Sequence, residues 1–160
     1  MNQNKLIEDQ YDTWNNSYNW VDEGHQWSEF FGGTRSLWTN VIFPKIKDHL
    51  KGDVLEIAPG YGRITTFLVE ESDSLEVVDL VGKCIEKCKQ KFGDRIKYHI
   101  NDGKSLDMIK NNSKDFVFSW DSFVHIDEKT INNYITGIYN VLKPGGYAFI
   151  HHSCFHGGNE

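Results

Sequence analysis

The sequence predicts an α/β protein built on a doubly wound parallel sheet, and three observations carry that expectation. From Asp53 onward, short apolar runs alternate with longer helical patterns, which calls for parallel strands joined by crossover helices. Runs such as Phe116-Val117-Phe118 are continuously apolar, as suits strands covered on both faces. Polar residues recur at the carboxyl ends of these runs: Glu56, Asp79, Asp102, Asp121 and the pair His151-His152. Ligands of open α/β sheets sit at those ends.

The segment up to Gly33 reads as a helix followed by an irregular stretch, rich in Tyr11, Trp14, Tyr18, Trp20 and Trp27. Thr34 is a good N-cap for a second helix running to about residue 50, with Leu37, Val41, Ile42 and Ile46 at helical spacing. Pro44 predicts a kink or an early end there. Strands follow over 54–58, 75–79, 96–100, 115–120 and 146–151, with helices over 63–70, 83–92 and 128–142 and a short one near 105–109. Pro144-Gly145-Gly146 is a turn that stops the last helix and launches the last strand. The chain is expected to form one domain over 1–160, with 1–50 a helical lid or cap and 51–152 a ligand-binding core.

Composition narrows the function. The apolar and charged fractions, 39% and 25%, are those of a globular protein large enough to bury a core. A net charge of −6 without a Lys/Arg block argues against nucleic acid as a partner. The amino-terminal residues lack the apolar core of a signal peptide, and no run is long enough to span a membrane. The expected location is cytoplasmic. Cys84, Cys88 and Cys154 are then reduced thiols, and Cys84 with Cys88 are read as small buried hydrophobes rather than half of a metal site. Asp121 with His151 or His152 lacks the carboxylate cluster a divalent ion needs, so no metal site is predicted.

The densest signal is the stretch from Asp53 to Arg63. Gly60 and Gly62 let a ligand approach the main chain, and Glu56 puts a carboxylate beside the turn. An acid there repels a phosphate and suits a cationic or hydroxyl-bearing group. A nicotinamide-dependent oxidoreductase would share a ribose-binding acid at Asp79, but its fingerprint needs a third glycine where Thr65 stands. Asp102, in Asn101-Asp102-Gly103, reads either as a purine contact or as an Asx turn.

Four segments in order, Glu56-Ile57-Ala58-Pro59-Gly60-Tyr61-Gly62, the acid Asp79, Asn101-Asp102-Gly103 and the fourth-strand run ending Trp120-Asp121-Ser122-Phe123-Val124-His125, resemble the class I S-adenosylmethionine-dependent methyltransferases. The resemblance covers 54–150. It implies a Rossmann-like sheet of order 3-2-1-4-5 and S-adenosylmethionine as methyl donor. The donor residues it implies are Glu56, Ala58, Pro59, Gly60, Tyr61 and Gly62 at the methionine end, Asp79 at the ribose, Asn101, Asp102 and Gly103 at the adenine with Leu80 as an apolar contact on the base, and Asp121 with Ser122. Ala58 replaces the motif's first glycine, a change acceptable where the backbone need not take a positive φ. Catalytic candidates are His125, His152 and Asp121, and Tyr11, Trp14, Tyr18 and Trp27 are expected either to form a lid over the methionine end or to pack the amino-terminal helix against the sheet. The wording of several segments is similar to bacterial methyltransferases associated with sugars and surface polysaccharides, implying a sugar or glycan hydroxyl, or another small molecule, as acceptor. The family's sixth and seventh strands have no counterpart here. The expectation is therefore a fragment, or a homodimer or partner covering the strand-five edge, with a non-catalytic cofactor-binding or scaffold module as the alternative.

Overall fold

The computed structural model describes residues 2–153, so Cys154 lies outside the described residues. The chain opens with α1 (Gln3–Asp12), capped by the Asn2 side chain, and continues through a π turn (Thr13–Ser17) and a 3-10 segment (His25–Phe31). Next come α2 (Thr34–Leu37), a π turn (Trp38–Ile42) and α3 (Phe43–Ile46) in one unbroken helical run. Pro44 does not end this run. Its nitrogen has no hydrogen for the Asn40 carbonyl and its ring would collide with it. The π turn just before it, closed by the Phe43 N–H on the Trp38 carbonyl, absorbs the mismatch.

The core follows as β1 (Asp53–Ile57), α4 (Thr65–Glu71), β2 (Ser74–Asp79), α5 (Gly82–Phe92), β3 (Lys97–Ile100), β4 (Lys114–Ser119), α6 (Glu128–Val141) and β5 (Leu142–Ile150). All five strands pair in parallel in the order β3-β2-β1-β4-β5, as expected. β1 is central, with Glu56 opposite Val77 on one side and Phe118 on the other.

Alternation along the strands divides the core between two layers. Val54, Val77, Phe116 and Phe118 face Leu37, Ile42, Ile46, Leu68 and Ile85 from α2 to α5. Leu55, Ile57, Val78 and Val117 face Tyr134, Ile138 and Val141 of α6. Strands covered on both faces explain the unbroken apolar runs.

Three local expectations need correcting. The helix expected from Arg63 begins at Thr65, because positive φ at Gly60 and Gly62 keeps the preceding residues in a turn. No helix forms near 105–109: the Asn101 side chain bonds the Ser105 carbonyl and the Gly103 N–H, satisfying the backbone locally. The last strand starts at Leu142, and 143–146 bulge out of register, with Lys114 opposite Leu142 but Phe116 opposite Tyr147. Lys143 in this bulge bridges Asp53 and Asp115 at 2.8 and 2.7 Å, fixing it to the amino-terminal ends of β1 and β4.

Candidate functional site

The turn after β1 is built from residues in the left-handed region: Ala58 at φ +58°, Gly60 at +57° and Gly62 at +81°. Ala58 thus adopts the conformation that its replacement of a glycine was expected to avoid. Its methyl group costs about 1 kcal/mol there. Gly62 cannot be replaced so cheaply, since a Cβ would lie 2.6 Å from the Phe92 ring. Gly60 is covered by an indole: a Cβ there would meet Trp20 at 3.0 Å, and Trp20 stacks on Tyr61 at 4.2 Å.

Two carboxylates flank this turn. Glu56 is 3% exposed and accepts a 2.6 Å bond from the Thr65 hydroxyl. Burial raises its pKa to about 8, reinforced by the charge of Asp79 and opposed by Thr65 and Arg63. Asp79 is 7% exposed and pushed to about 6 by burial, opposed by backbone N–H groups of Val81 and Gly60. Those N–H groups lie 2.8 and 3.2 Å from its two oxygens. With the Leu80 N–H also acting on it, the carboxylate is oriented and still keeps acceptor capacity.

Arg63 is the residue that the sequence did not bring forward. Its buried guanidinium donates to Ser28 Oγ at 2.6 Å and to Asp121 Oδ2 at 2.5 Å and lies over the Trp27 ring. It therefore ties the amino-terminal segment to the loop after β4. Only its place directly after Gly62 signalled it.

One chamber lies against Glu56, the turn, Arg63, Trp120 and Asp121, roofed by Trp14, Trp20 and Trp27. A second, of about 370 Å³, lies between α1 and the turn, with Leu6, Ile7, Leu80, Val81, Gly103 and Tyr134 in its walls. Trp14, Ala58, Asp79, Ser122 and His125 line both, so they form one cleft with Asp79 at the waist. The amino-terminal segment is held over it by polar ties: Gln3 Nε2 to Thr130 Oγ1 at 3.1 Å, Gln10 Nε2 to the His125 carbonyl at 3.0 Å, and Lys83 to the Asn15 carbonyl.

The structure brings together Glu56, Ala58, Pro59, Gly60, Tyr61, Asp79, Leu80, Gly103, Asp121, Ser122 and His125 as cleft lining. Gly62 shapes the turn from behind. Asp102 is exposed, and its Oδ1 caps the Lys104 and Ser105 N–H groups at 3.1 and 2.8 Å, so the Asx-turn reading describes it. Asn101 is spent on its own loop and the Tyr134 hydroxyl. His152 is exposed and bonds the Ser153 carbonyl; alternation along the chain turns His151 instead toward Asp121, at 3.0 Å. His125 packs on Trp14 at 5.2 Å, and desolvation lowers its pKa against the opposing charge of Asp121. Among the lid aromatics, Tyr11 is 40% exposed and lines neither chamber, and Tyr18 packs behind Trp14 and Trp27. Trp20 takes the place by the turn that the sequence reading gave to no residue.

Among the described residues, no three His, Cys, Asp or Glu side chains converge as metal ligands. The guanidinium on Asp121 would also oppose a cation there. Trp120 lines the first chamber, and its buried Nε1 is a donor without a partner among the described residues.

The model of the methyltransferase domain family matches residues 54–146. The chain belongs to that family. The match takes in the Glu56–Gly62 turn, Asp79 and the loop after β4, the segments on which the class I methyltransferase resemblance was read from the sequence. Phosphoethanolamine N-methyltransferase 1 of Triticum aestivum is 35% identical over 107 residues, covering 64% of this chain and 22% of the relative. Ribosomal RNA small subunit methyltransferase A of Ralstonia nicotianae is 33% identical over 90 residues, covering 54% of this chain and 32% of the relative. The chain thus spans about a fifth of the length of the plant relatives it matches, as the 22% share shows. Among solved structures, phosphoethanolamine N-methyltransferase 1 of Haemonchus contortus, in complex with phosphoethanolamine and S-adenosylhomocysteine, superposes with a TM-score of 0.71 at 20% identity over 96% of this chain and 33% of that one. The DhpI-SAM-HEP complex superposes with a TM-score of 0.65 at 18% identity, covering 94% of this chain and 67% of that one. These two likenesses concern the fold. No helix among the described residues is long and apolar enough to cross a membrane.

Proposed function

We propose that the cleft binds S-adenosylmethionine and that the protein transfers its methyl group to a nucleophile of a small molecule. The observation that carries this reading is the placement of Asp79 at the waist between an apolar chamber and a chamber containing buried acids. The apolar walls of Leu80, Val81 and Ile7 suit a purine, Asp79 suits the two hydroxyls of a ribose, and Glu56, neutral until an adjacent cation draws off its proton, suits an ammonium. Arg63 supplies the cation for a carboxylate at that same end. When bound, the donor supplies an already activated methyl group. The chain's residues then position the reactants and exclude water, with Trp14, Trp20 and Trp27 forming the roof. In this reading 1–50 is the lid segment and 51–152 the donor-binding core.

The acceptor would enter beside Trp120, Asp121 and His125. His125, held neutral by desolvation on the wall of both chambers, is the base that the hydroxyl of a sugar, glycan or other small molecule would need, which supports that acceptor. A second reading, an amine, is favoured by Asp121 among indole faces and by the names of the plant relatives. The net charge of −6 supports a small acceptor over ribosomal RNA. Transfer of labelled methyl from S-adenosylmethionine to phosphoethanolamine, to nucleotide sugars and to 16S ribosomal RNA tests these readings side by side. Label on RNA alone overturns the small-molecule reading.

A further inference from the structure

Asp121 and His151 meet so that one nitrogen has two mutually exclusive partners. His151 Nδ1 lies 3.0 Å from Asp121 Oδ1 and 3.3 Å from the backbone nitrogen of the same residue. A protonated Nδ1 donates to the carboxylate, whereas a bare Nδ1 accepts from the backbone N–H. Asp121 is held for this encounter: its backbone sits at φ +61°, and Arg63 fixes Oδ2 at 2.5 Å. Asp121 lines the chamber, whereas His151, stacked on Trp120 at 4.2 Å, keeps 37% of its side chain exposed. The pair therefore runs from the chamber wall to the protein surface.

We propose that His151 is a positioning residue for methyl transfer, taking the acceptor's proton through Asp121 and passing it to solvent. This rests on the methyltransferase reading above. Before reaction the imidazole is neutral with its proton on Nε2, Nδ1 accepts from the Asp121 N–H, and Oδ1 receives the acceptor's O–H or N–H. During transfer the carbon–sulfur bond breaks and the sulfur keeps the electron pair as a neutral thioether. The acceptor's lone pair forms the new bond to the methyl carbon. The acceptor's proton moves to Oδ1 and on to Nδ1, so the sulfonium's positive charge ends on the imidazolium. Nδ1–H then donates to Oδ1, the backbone N–H releases the ring, and the exposed edge returns the proton to water. The charged groups facing His151 are Asp121, from the loop after β4, and behind it Arg63, from the turn after β1.

The test is an NMR titration of the full chain, following the imidazole nitrogens of His151 and the Asp121 amide, free and with S-adenosylhomocysteine. The expected result is the Nε2–H tautomer at high pH, with the Asp121 amide titrating at the same midpoint as Nδ1. An Nδ1–H tautomer at every pH, or an Asp121 amide indifferent to His151, overturns the proposal. With phosphoethanolamine as acceptor probe, His151→Gln should lower kcat about a hundredfold, with S-adenosylhomocysteine affinity unchanged. A kcat within threefold of the wild type also overturns it. Failure of S-adenosylhomocysteine to bind would strike the methyltransferase reading instead, and the titration of the free protein decides the proton switch whether or not phosphoethanolamine is turned over.

Discussion

Replacing Glu56 by Gln should change how stability depends on pH, and the direction follows from burial. Glu56 is raised from an ordinary 4.5 to about 8 because its carboxylate is desolvated. The folded chain therefore holds a proton near neutrality that the unfolded chain has lost. Stability falls with pH wherever the folded state binds more protons, so this residue destabilises the protein progressively as pH rises from about 4.5 toward 8. Between pH 6 and pH 8 the linkage amounts to about 2 kcal/mol from this group alone. Gln keeps an acceptor for the Thr65 hydroxyl and cannot ionise. Urea unfolding of both proteins at pH 6, 7 and 8 measures the difference, in which other titrating groups largely cancel. The wild type should lose about 2 kcal/mol relative to Glu56→Gln across that range. Parallel loss in the two proteins would refute the assignment of a neutral, buried Glu56.

Gly62→Ala forces a methyl group to within 2.6 Å of the Phe92 ring at positive φ, so urea unfolding should show a loss of about 2–3 kcal/mol. Ala58→Gly works in the other sense, since Ala58 sits at φ +58°; it should raise stability by up to about 1 kcal/mol in the same assay. Trp20→Ala removes the indole stacked on Tyr61 and covering Gly60, and should weaken S-adenosylhomocysteine binding about tenfold by calorimetry.

The centre of the sheet was legible because β1, β2 and β4 are buried on both faces, which writes a largely apolar run for each, whereas the edge strands β3 and β5 are partly exposed. The acidic side of the cleft was legible for a related reason: Glu56 and Asp79 lie at the carboxyl ends of β1 and β2, and strand ends in a parallel sheet converge on one place. What the sequence hid lies where position depends on contacts between distant segments. Trp20 stands in a non-periodic stretch, and only the turn it caps explains it. Arg63 gains its meaning from Ser28 and Asp121, neither of which is near it in sequence. The choice between His151 and His152 turned on alternation just past the end of β5, where one position decides which ring faces Asp121. Ala58 shows a different limit: the sequence names the substitution but not the φ that the turn imposes.

Calorimetric titration with S-adenosylmethionine, S-adenosylhomocysteine and NAD, on the wild type and on Asp79→Asn, tests the central claim most directly. The two sulfur compounds should bind the wild type and NAD should not, and Asp79→Asn should weaken both by about tenfold or more, because the charged acceptor at the waist of the cleft is lost. Binding of NAD alone, or unchanged affinity in Asp79→Asn, would contradict the assignment of this cleft as a methyl-donor site.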